Sequence, residues 1–544
     1  MPARQRGFWR KLARMKTLLA SLLALPLAAL AQPSPNLAIH QAQTVSGPLQ
    51  GEMLPSGICS FKGVPYAAPP VGGLRWQAPQ PVRPWRKLQL ATKFRPRPLQ
   101  LPLFPDMVFR STGMSEDCLY LNVWTGAGTT DERRPVLVYF YGGGFQAGDS
   151  SEPRYDGEAL ARRGIVMVTV NYRLGVFGFL AHPELTQESA HRASGNYGLL
   201  DQAAALQWVR DNIAAFGGDP QRITIGGESA GSFSVSAQLA SPLAKSLVAG
   251  AIGESGSMLG LRPLPTLAQA EQTGTAFAAT VSATSLAALR ALPATQLLEA
   301  AGKPGAGRFL PIVDGYFLPR QPTEMYATGQ QSQVPLLVGW NSMEANHQAL
   351  LGERAMTVTN YQTAVQQLYG KRAADVLRLY PATTAYEAEQ AATDLASDRF
   401  IGYSTWKWAD AHAHTSERPV YRYLFAQPHP ALASVPPDNI DTGIPPPHVR
   451  GAAHSTEIEY ALGNLATNQI YRWAPEDYRL SELMQAYFAN FVKTGNPNGA
   501  GLLAWPALKP AGGSETLRLD ANPYLTSTTG QQRYELLEQL AATK

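Results

Sequence analysis

A chain of 544 residues with 45% hydrophobic and 16% charged side chains can bury a large core, which excludes a disordered polyelectrolyte and fits a globular enzyme. Its formal charge of +5 includes six basic residues ahead of Gln32: Arg4, Arg6, Arg10, Lys11, Arg14 and Lys16. Removing those six from +5 leaves −1, so the rest of the chain carries no electrostatic footprint for nucleic acid.

The basic lead is followed by an apolar run from Leu18 to Leu30 and the small-residue sequence Ala29-Leu30-Ala31. This pattern predicts a secretory signal peptide over residues 1–31, cleaved after Ala31, with residues 32–544 forming the catalytic domain. Met15 offers an alternative start, because the sequence from there is a complete signal by itself. The run is short and broken by Pro26, so no stable membrane anchor is expected, and the protein is expected to be secreted, to the periplasm or the exterior.

Short strands and Pro-rich turns fill the first third. From Pro135 the pattern alternates. Residues 135–140 form an apolar run and residues 165–170 a second, β-branched one, as strands covered on both faces do. Leu206, Val209 and Ile213 share one face of a helix predicted over 199–213, stopped by Gly217-Gly218-Asp219-Pro220. Further strands are expected at 222–225, 335–340 and 421–425, and Ala-rich helices near 266–300 and 360–410. Strands alternating with helices predict one large α/β domain with a mainly parallel sheet, helices on both faces and helical insertions over one end.

Gly226-Gly227-Glu228-Ser229-Ala230-Gly231 follows the strand at Ile223 and precedes a helical stretch from Ser232 to Leu239. The pattern Gly-x-Ser-x-Gly between a strand and a helix makes a sharp turn that exposes the serine hydroxyl at the sheet edge. Ser229 is therefore the candidate nucleophile, and the helix start behind it favours developing negative charge. Gly253-Glu254-Ser255-Gly256-Ser257 lacks the closing glycine, so Ser255 is the weaker candidate. A serine nucleophile needs a base, an acid that orients the base, and donors for the oxyanion. Gly142-Gly143-Gly144, at the end of a predicted strand, lets backbone N–H groups approach a substrate oxygen. A phosphate cradle is the poorer reading of these glycines, since no Lys-Ser/Thr follows them.

Nine histidines are scattered, and His412 and His414 are two apart on a predicted helix, facing different directions. No metal and no cofactor are expected. Two cysteines, Cys59 and Cys118, do not by themselves establish a disulfide.

Together these motifs resemble the type-B carboxylesterase family, which includes the cholinesterases. The resemblance runs through Phe61–Pro70, Ser115–Trp124, Tyr141–Phe145, Asn171-Tyr172-Arg173, Gly198–Gln202, the Gly-Glu-Ser-Ala-Gly turn, Ala453–Glu457 and Phe491–Pro497. It implies an α/β-hydrolase fold acting on a small-molecule ester. It also implies His454 as base, Glu344 as acid and the N–H groups of Gly143, Gly144 and Ala230 as oxyanion donors. The order Ser229, Glu344, His454 is the one this fold uses. Ser255 resembles a family serine that supports the triad's hydrogen bonds. Glu228 either tunes the field at His454 or is a structural carboxylate.

The chain departs from the family pattern at Met343 and Ala345, which flank Glu344, and the partner that the family gives the cysteine at Cys118 is absent near Arg97. Residues 86–117 contain no Trp, which argues against choline esters. Some relatives are binding proteins that have lost the serine, whereas all three triad positions are filled here. Hydrolysis of a bulky ester, a lactone or an amide is the alternative reading of the same triad.

Overall fold

The computed structural model describes residues 38–283, 285–433, 451–509, 515–527 and 530–542. The expected leader and its cleavage point after Ala31 lie outside the described residues. Beyond Leu37 the chain is organised on one 11-stranded sheet. Its strands are β1 (Glu52–Met53), β2 (Cys59–Pro65), β3 (Tyr120–Thr125), β4 (Arg134–Phe140), β5 (Val166–Val170) and β6 (Gly218–Glu228). They continue with β7 (Gly250–Glu254), β8 (Leu336–Asn341), β9 (Val420–Phe425), β10 (Glu515–Leu519) and β11 (Tyr524–Ser527).

The order across the sheet is β11-β10-β9-β8-β7-β6-β4-β5-β3-β2-β1. Strands β4 to β10 pair in parallel, and the outer pairs at both edges are antiparallel. The apolar runs explain the centre. Val136, Val138, Phe140, Val166, Val168, Val170, Ile223 and Ile225 are all buried, because helices cover both faces of a parallel sheet.

The expected strands and helices are present, with informative differences. The helix expected over 199–213 spans Tyr197–Asn212, continues as a short 3₁₀ turn, and ends at Gly217 in the left-handed conformation. Strand β6 begins at Gly218 rather than at Arg222, and its pairing to β4 shifts register between Gly218 and Ile223. Pro220 has no N–H to offer a ladder, so the irregularity falls around it. Strand β7 was not expected, since Gly-Ala-Ile-Gly-Glu carries little strand propensity.

The two Ala-rich regions are helical. Leu267–Thr280, Leu286–Ala291 and Ala294–Ala301 form the first. Val358–Tyr369, Ala373–Leu379, Ala385–Ser397 and Tyr403–Thr415 form the second, with a π-turn over Asp398–Gly402. The second region packs on segments that follow β7 and β8. Gly256 N–H donates to Thr405 Oγ1 at 2.8 Å, and Ser257 Oγ donates to the Ser404 carbonyl at 2.7 Å. The Ala345 N–H meets Ser397 Oγ at 3.1 Å.

Several sequence motifs are clamps. Arg173 and Asp201 form a buried two-point ion pair, with Nε–Oδ2 at 2.8 Å and Nη2–Oδ1 at 2.7 Å. Arg75 holds Glu116 in the same way, both contacts at 2.6 Å. His412 donates Nε2–H to the Val334 carbonyl at 2.8 Å, and His414 Nδ1 lies 2.8 Å from the Asp410 carbonyl, so both rings serve the backbone. Among the described residues no helix is long and apolar enough to cross a membrane.

Candidate active site

Ser229 sits between β6 and the helix Ala230–Ala240, with φ at 53° and ψ at −120°. A non-glycine residue there is strained, and the surroundings must hold it. Ser229 N–H donates to the Glu254 carbonyl at 2.8 Å, and its own carbonyl accepts from Phe233 N–H at 2.8 Å. The glycines make the turn possible. A Cβ on Gly231 would collide with the Phe140 carbonyl oxygen, and one on Gly227 would lie 2.6 Å from the same atom. Helix and strand therefore approach more closely than any side chain allows.

Glu344 follows β8 by three residues. Its Oε1 accepts from Asn341 N–H and from Ser255 Oγ, each at 2.7 Å. Its Oε2 lies 2.6 Å from His454 Nδ1. The base is carried on a loop knitted to the acid's loop. Met343 N–H donates to the Ala452 carbonyl at 2.9 Å, Ala452 N–H to Ser342 Oγ at 3.0 Å, and Asn341 Nδ2 to the Ala453 carbonyl at 2.9 Å. Met343 and Ala345 thus act here through their backbones, so neither departure removes a contact from Glu344.

His454 Nε2 lies 2.9 Å from Ser229 Oγ. With Nδ1–H donated to Glu344, Nε2 is the nitrogen free to take the serine proton. Ser229, His454 and Glu344 are therefore brought into one hydrogen-bonded line. Gly142 borders it, since a Cβ there would lie 3.1 Å from Ser229 Cβ. Gly143 and Gly144 follow with φ of 111° and 64°, which lets the N–H groups turn out of the strand direction. Their N–H groups and that of Ala230, at the first position of its helix, make no hydrogen bond to a described residue outside their own elements. These are donors suited to an oxyanion.

The surroundings are rich in buried carboxyls. Glu228 Oε1 is 3.3 Å from His454 Nε2, and the Glu228 side chain is only 3% exposed. Burial pushes the Glu228 carboxyl up to about 8, against the pull of His454. For His454 burial acts downward, but Glu228 and then Glu344 outweigh it and raise the imidazole to about 10. Across the 3.3 Å contact His454 pulls the Glu228 carboxyl down while Glu228 pushes the imidazole up. Of the two readings of Glu228, the contact with Nε2 favours field tuning.

Sequence reasoning missed three neighbours. Phe400, on the π-turn, is 53% exposed and sets its ring 5.3 Å from that of His454. Nothing in the sequence marks it. Asn341, at the end of β8, hydrogen-bonds both loops. Glu457 lies within the motif that contains His454 and is fully buried, with Oε1 3.0 Å from Ser255 Oγ. Its spacing of three residues from His454 was the available signal.

The sequence leaves the pairing of the two cysteines open, and the structure decides it. Cys59 and Cys118 are free and buried. Cys59 pairs with Thr125 in the β2–β3 ladder, so Cys118, seven residues before Thr125, is about 20 Å away. The loop that the family closes by a disulfide is closed here by a two-residue ladder, Arg97–Pro98 with Met114–Ser115.

A serine–histidine–glutamate line on a strand-to-helix turn, at the carboxyl edge of a parallel sheet, is how α/β-hydrolases are built, and this fold is of that class. The chain belongs to the carboxylesterase family, carboxylic-ester hydrolases whose family model matches residues 38–537. It is 35% identical over 513 residues to the fumonisin B1 esterase of Sphingopyxis macrogoltabida, covering 91% of this chain and 89% of that protein. It is also 35% identical over 486 residues to the para-nitrobenzyl esterase of Bacillus subtilis strain 168, covering 86% and 92%. Among solved structures, a Geobacillus stearothermophilus carboxylesterase superposes with a TM-score of 0.77 at 31% identity, covering 92% of this chain and 100% of that one.

Proposed function

We propose that the protein is exported and hydrolyses small-molecule carboxylic esters through an acyl-enzyme on Ser229. The observation that carries the mechanism is the unbroken line Ser229 Oγ, His454 Nε2, His454 Nδ1, Glu344 Oε2, with contacts of 2.9 and 2.6 Å. Ser229 Oγ attacks the ester carbonyl as His454 takes its proton. The N–H groups of Gly143, Gly144 and Ala230 receive the oxyanion. His454 returns the proton to the departing alcohol, and water then attacks the acyl-enzyme by the same route to release the acid. Glu344 keeps Nδ1 protonated and offsets the imidazolium charge.

Ser229→Ala is expected to lower kcat on a p-nitrophenyl ester by about 10⁴-fold or more. A variant as active as the parent would sink the mechanism. Export rests on the leader alone. Expression of the full chain followed by fractionation and N-terminal sequencing tests it, and the expected mature terminus is Gln32.

A bulkier natural substrate is the second reading. It is favoured by the similarity to a fumonisin B1 esterase over nearly the whole chain and by the glycine-only segment Gly142–Gly144 beside Ser229. An ester panel that varies acyl length and alcohol bulk separately decides between the two. A lactone and an amide in the same panel test the other bonds.

A further inference from the structure

The hydrogen bonds behind the triad contain one proton too few if every carboxyl is ionised. Ser255 Oγ lies 2.7 Å from Glu344 Oε1 and 3.0 Å from Glu457 Oε1, yet a hydroxyl has a single hydrogen. Glu344 already accepts from Asn341 N–H on Oε1 and faces His454 Nδ1 with Oε2, so it is the ionised partner. The Ser255 hydrogen therefore points to Glu344, along the shorter contact. That leaves a lone pair of Ser255 Oγ facing Glu457 Oε1, an arrangement that attracts only if Glu457 brings a hydrogen. Its other oxygen, Oε2, accepts from Asn341 Nδ2. One donating oxygen and one accepting oxygen are what a neutral carboxylic acid presents.

We propose that Glu457 is a neutral, proton-bearing positioning residue that donates to Ser255 Oγ, which in turn donates to Glu344, fixing the acid of the triad by a two-step hydrogen-bond chain. The inference rests on the serine-triad reading above and adds a member to it. The side chain is fully buried, and the groups that face it explain why it stays neutral. Glu344 follows β8, Glu254 ends β7 and Glu228 ends β6, so three strands direct carboxyls toward it. The Tyr423 phenol on β9 is kept neutral by burial, and His454, on its own segment, acts in the opposite direction to the carboxyls. Burial first and Glu344 second raise the Glu457 carboxyl above the ordinary range. A further anion beside His454 would also favour the protonated imidazole, which cannot act as a base. The neutral acid supplies a hydrogen bond without that charge.

Glu457→Gln mimics the acid, because its amide donates through nitrogen and accepts through oxygen. The pH profile of kcat/KM for p-nitrophenyl ester hydrolysis separates the two charge states. The acid limb of Glu457→Gln is expected within about 0.3 pH unit of the parent, since no charge is removed. A fall of about one unit or more would show that Glu457 is ionised and overturn the proposal. Glu457→Leu, which cannot donate, is expected to lose about 100-fold in kcat while Glu457→Gln restores most of it. Equal activity of the Leu and Gln variants would also overturn it.

Infrared difference spectra of parent minus Glu457→Gln in heavy water read the proton without any turnover. A protonated-carboxyl carbonyl band is expected, and a carboxylate band alone refutes the assignment. That arm stands even if the parent proves inactive on esters, so failure of the esterase reading is distinguishable from failure of this one.

Discussion

The carboxylate of Glu228 lies 3.3 Å from Nε2 of His454, the nitrogen that also meets Ser229 Oγ at 2.9 Å. One nitrogen thus faces both the nucleophile it must deprotonate and a buried acid that competes for its proton. Hydrolysis needs the neutral imidazole. The His454 pKa is raised above its ordinary 6.5, so activity is present above the raised value and lost as pH falls through it. Removing the Glu228 charge removes the largest upward push. Glu228→Gln is expected to move the acid limb of kcat/KM down by about one to two pH units, read from the pH profile on a p-nitrophenyl ester. An unmoved limb would return Glu228 to a structural role.

Gly231 is held against the Phe140 carbonyl with no room for a Cβ. Gly231→Ala must push the helix Ala230–Ala240 away from β4, and that helix carries the Ala230 N–H. A loss of about 1–3 kcal/mol in unfolding free energy is expected. Activity should fall by at least about tenfold because Ser229 and its donor move together. Denaturant titration and ester turnover check the two effects separately.

The buried pair of Arg173 and Asp201 fixes the segment after β5 to the helix Tyr197–Asn212. Asp201→Ala leaves the guanidinium buried and unpaired, a cost of about 3–5 kcal/mol. The denaturant midpoint is expected to drop clearly, while Arg75→Ala, which breaks a less buried pair, should cost less.

Both thiols are free and buried, and burial pushes the Cys59 thiol up to about 12. A thiol reagent is expected to count two thiols per chain in denaturant without reductant and none in the native protein on the same time scale. A count of zero in denaturant would indicate a bridge and contradict the distance between β2 and Cys118.

Local chemistry already specified much of this molecule in the sequence. The apolar runs at 135–140 and 165–170 suit strands buried on both faces, and the glycine spacing around Ser229 suits a tight strand-to-helix turn. Glu344 and His454 were legible through their motifs, since neither residue type announces a role alone. Tertiary structure decided the rest. Strand β7 has almost no propensity of its own, and it exists because β6 and β8 present it with two rows of hydrogen-bonding partners, placing Glu254 in register with Glu228. The gathering of Glu228, Glu254, Glu344 and Glu457 behind one histidine follows from four separate segments converging on the carboxyl edge of the sheet. A charge state depends on what surrounds a side chain in space, and spacing along a chain carries no record of that.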